Sequence, residues 1–152
     1  NIEYVKDIGG KPLSYIINQT MMRIDLPNVL KSGEKVSFSL KWWYNIQDHV
    51  NQDGRSGYES FKSDGNRTYI IAQFFPRMAV YNEVEGWQNH QFWGDGEFAL
   101  PFGNYEVKIT VPADHILDAT GELQNRKEVF SKEMLKKYLK KQNQLLIVTV
   151  EK

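Results

Sequence analysis

The chain has 152 residues, 19 basic and 19 acidic side chains, 41% apolar residues and no cysteine. This is the composition of one globular domain, not of a disordered tail. It excludes a disulfide framework, Cys-ligated zinc and a thiol nucleophile. The balanced charge also argues against nucleic acid or a membrane surface as a partner held by bulk charge, and no run of 18 apolar residues is present to span a bilayer. Opening at Asn1 without a methionine, the chain reads as an excised fragment or a mature form.

Strand patterns dominate. Met22, Ile24 and Leu26 alternate with Arg23 and Asp25. Val36, Phe38, Leu40, Trp42, Tyr44 and Ile46 form six apolar positions in strict alternation, which predicts a half-buried strand. The polar stretch from Gln47 to Asn66 reads as a loop between two strands. Tyr69–Ala72 and Leu145–Val150 are continuous apolar runs suited to strands covered on both faces. Tyr105, Val107, Ile109 and Val111 alternate again. Turn dipeptides fall between these runs at Gly9-Gly10, Ser32-Gly33, Asp53-Gly54, Asp64-Gly65 and Gly103-Asn104. One helix is expected at about 131–142, capped by Ser131, with Glu133 in its first turn and Met134, Leu135, Tyr138 and Leu139 as an apolar stripe. Five lysines cover its other sides, and the stretch from Asn125 on carries a net charge of +5, read as a solvated face. The expected class is all-β, a β-sandwich or saddle of open sheets with one short helix, in a single domain over residues 1–152.

Catalytic patterns are scarce. His49, His90 and His115 lie 41 and 25 positions apart, without metal-ligand spacing, and read as surface or turn residues. Glu83 and Glu85 would share a strand face; paired carboxylates divide acid and base roles at some sites, but exposed pairs at this spacing are usually solvated. Gly94-Asp95-Gly96-Glu97 reads as a turn, and there is no Gly-x-Ser-x-Gly elbow. The 20 aromatic residues include Trp42, Trp43, Trp87 and Trp93. Such residues form a stacking platform for sugars, or they serve as packing, with Trp42 in the core and the rest cementing the irregular segment from Phe74 to Phe102. Residues alone therefore point to a β domain with no self-contained active site.

A more specific signal runs from Tyr69 to Asn125. It holds Ala72-Gln73-Phe74-Phe75-Pro76-Arg77, Val84-Glu85-Gly86-Trp87 and Gly96-Glu97-Phe98, followed by Tyr105 to Asp114 with its Val111-Pro112 ending, then Ala119-Thr120-Gly121. Upstream, Leu26-Pro27 and Leu30-Lys31-Ser32-Gly33-Glu34 precede the strong strand. In this order the motifs resemble the amino-terminal β domain of aminopeptidase N-type zinc metallopeptidases, in a bacterial branch. The resemblance implies a non-catalytic domain, shortened at its start. It would cover one side of an active-site cleft and pack on a thermolysin-like domain of the same polypeptide, which carries the zinc and the catalytic glutamate. It implies no cofactor in this chain, a peptide substrate reached through the whole enzyme, and a periplasmic or secreted bacterial setting. The family's amine-holding Gln or Glu, followed by Ala, is absent at Asn66–Tyr69. Gln73 is the nearest candidate but out of register, and Glu83 lies near where the family's Asp-x-Pro is replaced. Gln73 and Glu83 are thus the candidate substrate-binding residues, with a carbohydrate-binding β-sandwich module as the alternative function.

Overall fold

The computed structural model describes residues 1–51, 54–94, 99–139 and 148–151. The chain is all-β, with strands in small sheets and two short helices. It divides into two compact units, residues 1–101 and 102–152. The first holds β1 (Ile2–Asp7), β2 (Ser14–Asn18), β3 (Met21–Asp25), β4 (Phe38–Trp42), β5 (Gly57–Ser60), β6 (Arg67–Ile70), β7 (Tyr81–Asn82) and β8 (Gly86–Trp87). The second holds β9 (Val107–Thr110), α1 (Arg126–Val129), α2 (Lys132–Leu139) and β10 (Val148–Glu151).

In the first unit the strands pair in twos, each pair antiparallel: β1 with β4, β2 with β3, β5 with β6, and β7 with β8. The pairing of β1 and β4 runs from Ile2 opposite Trp42 to Asp7 opposite Phe38, with a register shift between Ile2 and Tyr4. Its open end is closed by the amino terminus. The Asn1 ammonium donates to the Trp43 carbonyl at 2.9 Å, and the Trp43 N–H donates to the Asn1 carbonyl at 3.0 Å. On the far side of β1, the chain turns at Gly10, whose φ of 84° is open to glycine at no steric cost. The returning Leu13 N–H then donates to the Val5 carbonyl at 2.9 Å. Val5 is thereby flanked on both sides, and among the described residues Val5 and Leu13 are the buried apolar ones, 2% and 8% exposed.

The six-residue alternation yields a shorter strand than its pattern promises. β4 keeps Leu40 and Trp42 half-buried with Ser39 and Lys41 exposed, as the alternation requires. The paired bonds between Asn1 and Trp43 continue the ladder past Trp42, where β4 itself ends. The stretch from Gln47 to Asn66 is not a simple loop. It contains β5, which pairs with β6 so that Tyr58 faces Tyr69, their ring centroids 5.9 Å apart. Buried Gly57 sits at the start of that hairpin, where an added Cβ would lie 3.0 Å from the Gln47 carbonyl oxygen. The run Tyr69–Ala72 is not covered on both faces: Tyr69, Ile70 and Ile71 are exposed. A two-stranded ladder has no second layer to bury them, so the apolar run marks strand propensity without burial.

In the second unit β9 and β10 pair in parallel, Val107 opposite Val148. Parallel strands need a crossover, and α1 and α2 lie within it. Ser131 caps α2 as expected, its hydroxyl accepting the Met134 N–H at 3.2 Å. Leu135 is half-buried and Met134 exposed. Positions 140–142 of the expected helix and 145–147 of the expected strand lie outside the described residues, as do the side chains of Tyr138 and Leu139.

Candidate functional site

The Ala-Gln pair singled out in the sequence stands at a bend just past β6. Gln73 has a φ of 52°, in the left-handed region that crowds the Cβ of an L-residue. Both neighbours are tied to other segments. The Ser56 hydroxyl donates to the Ala72 carbonyl at 2.6 Å and accepts the Ala72 N–H at 2.7 Å. The Trp42 indole N–H donates to the Phe74 carbonyl at 3.1 Å. Beyond the bend, Phe74 and Phe75 meet edge to face with centroids 5.0 Å apart. The Arg77 guanidinium lies 5.5 Å from the Phe75 ring centroid and donates to the Pro101 carbonyl at 3.0 Å. The aromatic-Pro-Arg element thus sets its cation near its own ring, and the Arg77 side chain ties it to the Pro101 carbonyl.

Glu83 lies elsewhere, in the turn of the β7–β8 hairpin. The Asn82 side-chain oxygen accepts the N–H groups of Val84 and Glu85 at 3.0 and 2.8 Å, and Gly86 follows with a φ of 70°. This turn chemistry overrides the expectation that Glu83 and Glu85 share a strand face. Both are exposed, with Val84 between them, and the Glu85 carboxylate lies 3.7 Å from His90 Nε2. Gln73 and Glu83 make no hydrogen bond or ion pair with each other. The structure does not join the two candidate substrate-binding residues in one polar cluster.

The hairpin carries a second feature. Tyr81 and Trp87 lie opposite each other across it, edge to face with centroids 5.3 Å apart, and are 64% and 57% exposed. Trp43 and Trp93 are exposed too, so only Trp42 is the half-buried residue expected of packing. Trp87 does pack on Tyr81 within the irregular segment, while Trp43 and Trp93 stand exposed.

The histidines are exposed: His49 beside Gly57, His90 near Glu85, and His115 with its Nδ1 2.8 Å from the Asp114 carboxylate. That contact holds the Asp114 carboxyl below its ordinary range. Among the described residues no three His, Asp or Glu side chains gather as a metal group, and no helix is long and apolar enough to cross a membrane. Gly94-Asp95-Gly96-Glu97 lies mostly outside the described residues. Comparisons with protein-family models, with curated proteins and with solved structures find no match.

Sequence reasoning missed Ser56 and Gln91. Gln91 accepts both the N–H and the hydroxyl of Thr20 and fastens the β2–β3 turn to the aromatic segment. A lone Ser or Gln in polar sequence carries no local signal of such a partner. The pairing of β5 with β6 brings Ser56 to Ala72, and the tertiary fold brings Gln91 to Thr20.

Proposed function

We propose that this chain is the non-catalytic β domain of a zinc aminopeptidase. It packs on a thermolysin-like catalytic domain of the same polypeptide and covers one side of its cleft. The observation that carries the reading is the surface left open. Large apolar side chains, among them Ile8, Ile16, Ile17, Ile70 and Phe102, stand exposed among the described residues. Exposed apolar side chains of this size support a surface that a neighbour covers. The motif order from Ala72 to Gly121, which resembles that of the family's amino-terminal domain, supports this choice of neighbour. In this reading the zinc and the acid–base chemistry belong to that neighbour, and Gln73 and Glu83 contribute polar contacts to the peptide.

The test is the reading frame beyond Lys152. A His-Glu-x-x-His helix is expected there, and the joined polypeptide is expected to release amino acids from aminoacyl amides with zinc bound. An immediate stop, or an unrelated downstream domain, overturns the reading.

A second reading, a carbohydrate-binding module, is favoured by the exposed Tyr81–Trp87 pair, since indole and phenol faces stack on sugar C–H surfaces. Titration of tryptophan fluorescence with a glycan panel tests it. A saturable shift that is lost in Trp87→Ala supports this reading, and no shift with any glycan removes it.

A further inference from the structure

We infer that the free edge of β3 is a self-pairing surface. Two copies of the chain join β3 to β3, antiparallel about a two-fold axis at Ile24, so that Arg23 of each faces Asp25 of the other. The inference stands apart from the aminopeptidase reading and needs neither a peptide nor zinc.

The edge follows from the hairpin. β2 and β3 form a two-stranded ladder, with Asn18 opposite Met21 and Ser14 opposite Asp25. The two-residue loop, Gln19 and Thr20, makes Asn18 and Met21 a hydrogen-bonded pair. Bonded and open pairs alternate along an antiparallel ladder, so Ile16–Arg23 and Ser14–Asp25 are bonded as well. Met22 and Ile24 fall in the open pairs and turn their N–H and C=O groups away from β2. Among the described residues no main-chain group takes these up. An edge of this kind is a template for another strand.

Charge selects the occupant. An edge charge ordinarily repels a second copy of the same strand. β3 instead reads Met21-Met22-Arg23-Ile24-Asp25, with opposite charges on either side of Ile24. Antiparallel copies centred on Ile24 set the two Ile24 residues in a bonded pair. They put Arg23 across from Asp25 twice, in open pairs, where side chains come closest. Arg23 and Asp25 already lie together on one face, Nε to Oδ1 at 3.0 Å, with side chains 71% and 48% exposed. The two copies therefore present four charges in a square of alternating sign, and none loses a partner. On the other face Met22 meets Leu26 of the second copy beside the two Ile24 side chains, apolar against apolar. Centring on Met22 would leave Arg23 facing Met21, and parallel pairing in register would set like charge on like. The opposite edge of the hairpin, β2, holds no charged residue and so selects no register. The contact is isologous and closes at two copies.

The experiment uses the full-length polypeptide in sedimentation equilibrium, where a reversible monomer–dimer equilibrium is expected. Arg23→Asp and Asp25→Arg are each expected to weaken dimerisation about tenfold or more, since each turns two attractions into two repulsions. Mixed in equal amounts, the two variants are expected to form a heterodimer, because each supplies the charge the other lacks. The double swap, Arg23→Asp with Asp25→Arg, is expected to restore the homodimer. Ile24→Pro removes the central N–H without touching a bond to β2 and is expected to abolish pairing. If far-UV circular dichroism shows that a single charge variant does not fold, the double swap and Ile24→Pro carry the test, the first keeping the dimer and the second losing it. A polypeptide that stays monomeric throughout overturns the inference, and slow amide exchange at Met22 and Ile24 would then assign the edge to a neighbouring domain. It is also overturned by a dimer indifferent to both single variants and to Ile24→Pro, or by single variants that stay monomeric when mixed.

Discussion

Thr20 and Gln91 clasp one another across 71 positions of chain. The Gln91 side-chain oxygen accepts the Thr20 N–H at 2.9 Å and the Thr20 hydroxyl at 2.8 Å. The Gln91 amide donates to the Asn18 carbonyl at 3.0 Å, and the Thr20 hydroxyl accepts the Phe92 N–H at 2.8 Å. Four bonds at one spot make a local lock on the turn between β2 and β3.

Gln91→Ala removes three of those bonds and leaves the fourth without its support. Because the spot is exposed, water replaces part of the loss, and the expected cost is about 1 kcal/mol. Urea denaturation of the chain and its variant measures it. Amide exchange at Thr20 and Phe92 should quicken together, since each N–H ends in this network.

Gln73 offers a test of strain that is independent of any ligand. A β-branched residue fits the left-handed region worst, so Gln73→Ile is expected to cost about 1–2 kcal/mol. Gln73→Gly relieves the crowding but frees the unfolded chain, and the two effects should roughly cancel. Equal denaturation midpoints for Gln73→Ile and Gln73→Gly would show that the bend is not maintained in solution.

Much of the strand content was legible in the sequence, because alternation registers wherever one face of a strand is shielded. Leu40 and Trp42 obey it, and so do Val107 and Ile109, half-buried between exposed neighbours. β1 escaped notice because a register shift near Ile2 breaks its pattern and a single residue, Val5, carries its burial. β5 escaped because Gly57-Tyr58-Glu59-Ser60 reads as polar loop, although Asp64-Gly65 marked the turn that closes it on β6. At the candidate site, Gln73 was visible beside Ala72. Ser56, which bonds both polar groups of Ala72, was not, since a serine 16 positions upstream becomes a neighbour only after β5 and β6 pair.

Gly57 is a position where size alone decides. An added methyl would meet the Gln47 carbonyl oxygen at 3.0 Å and His49 Cβ at 3.2 Å. That carbonyl is already held by the Tyr58 N–H at 2.9 Å and cannot simply withdraw. Gly57→Ala is expected to cost about 1–2 kcal/mol, read as a lower denaturation midpoint with unchanged slope.

Acid should weaken the loop between β5 and β6. The Asp64 carboxylate accepts the Asn66 N–H at 3.0 Å, which holds its carboxyl below the ordinary carboxylate range. A carboxyl depressed in the folded state adds stability above its unfolded titration range, and that contribution is lost as pH falls through the lower folded value. Asp114, depressed by His115, follows the same sign. In Asp64→Asn the dependence of stability on pH should flatten below about pH 4. An unchanged acid limb would remove Asp64 from the account.

The strand pairing also sets two clocks for assembly. β2–β3, β5–β6 and β7–β8 join strands that are adjacent in the chain, and such hairpins form within about 1–10 μs. β1 must wait for β4 across residues 8–37, and β9 for β10 across residues 111–147, each of which closes a far longer loop. Pulse labelling of backbone amides during refolding should therefore find Tyr15 to Ile24 protected before Val5 and Leu40, so the buried heart of the first unit is sealed late.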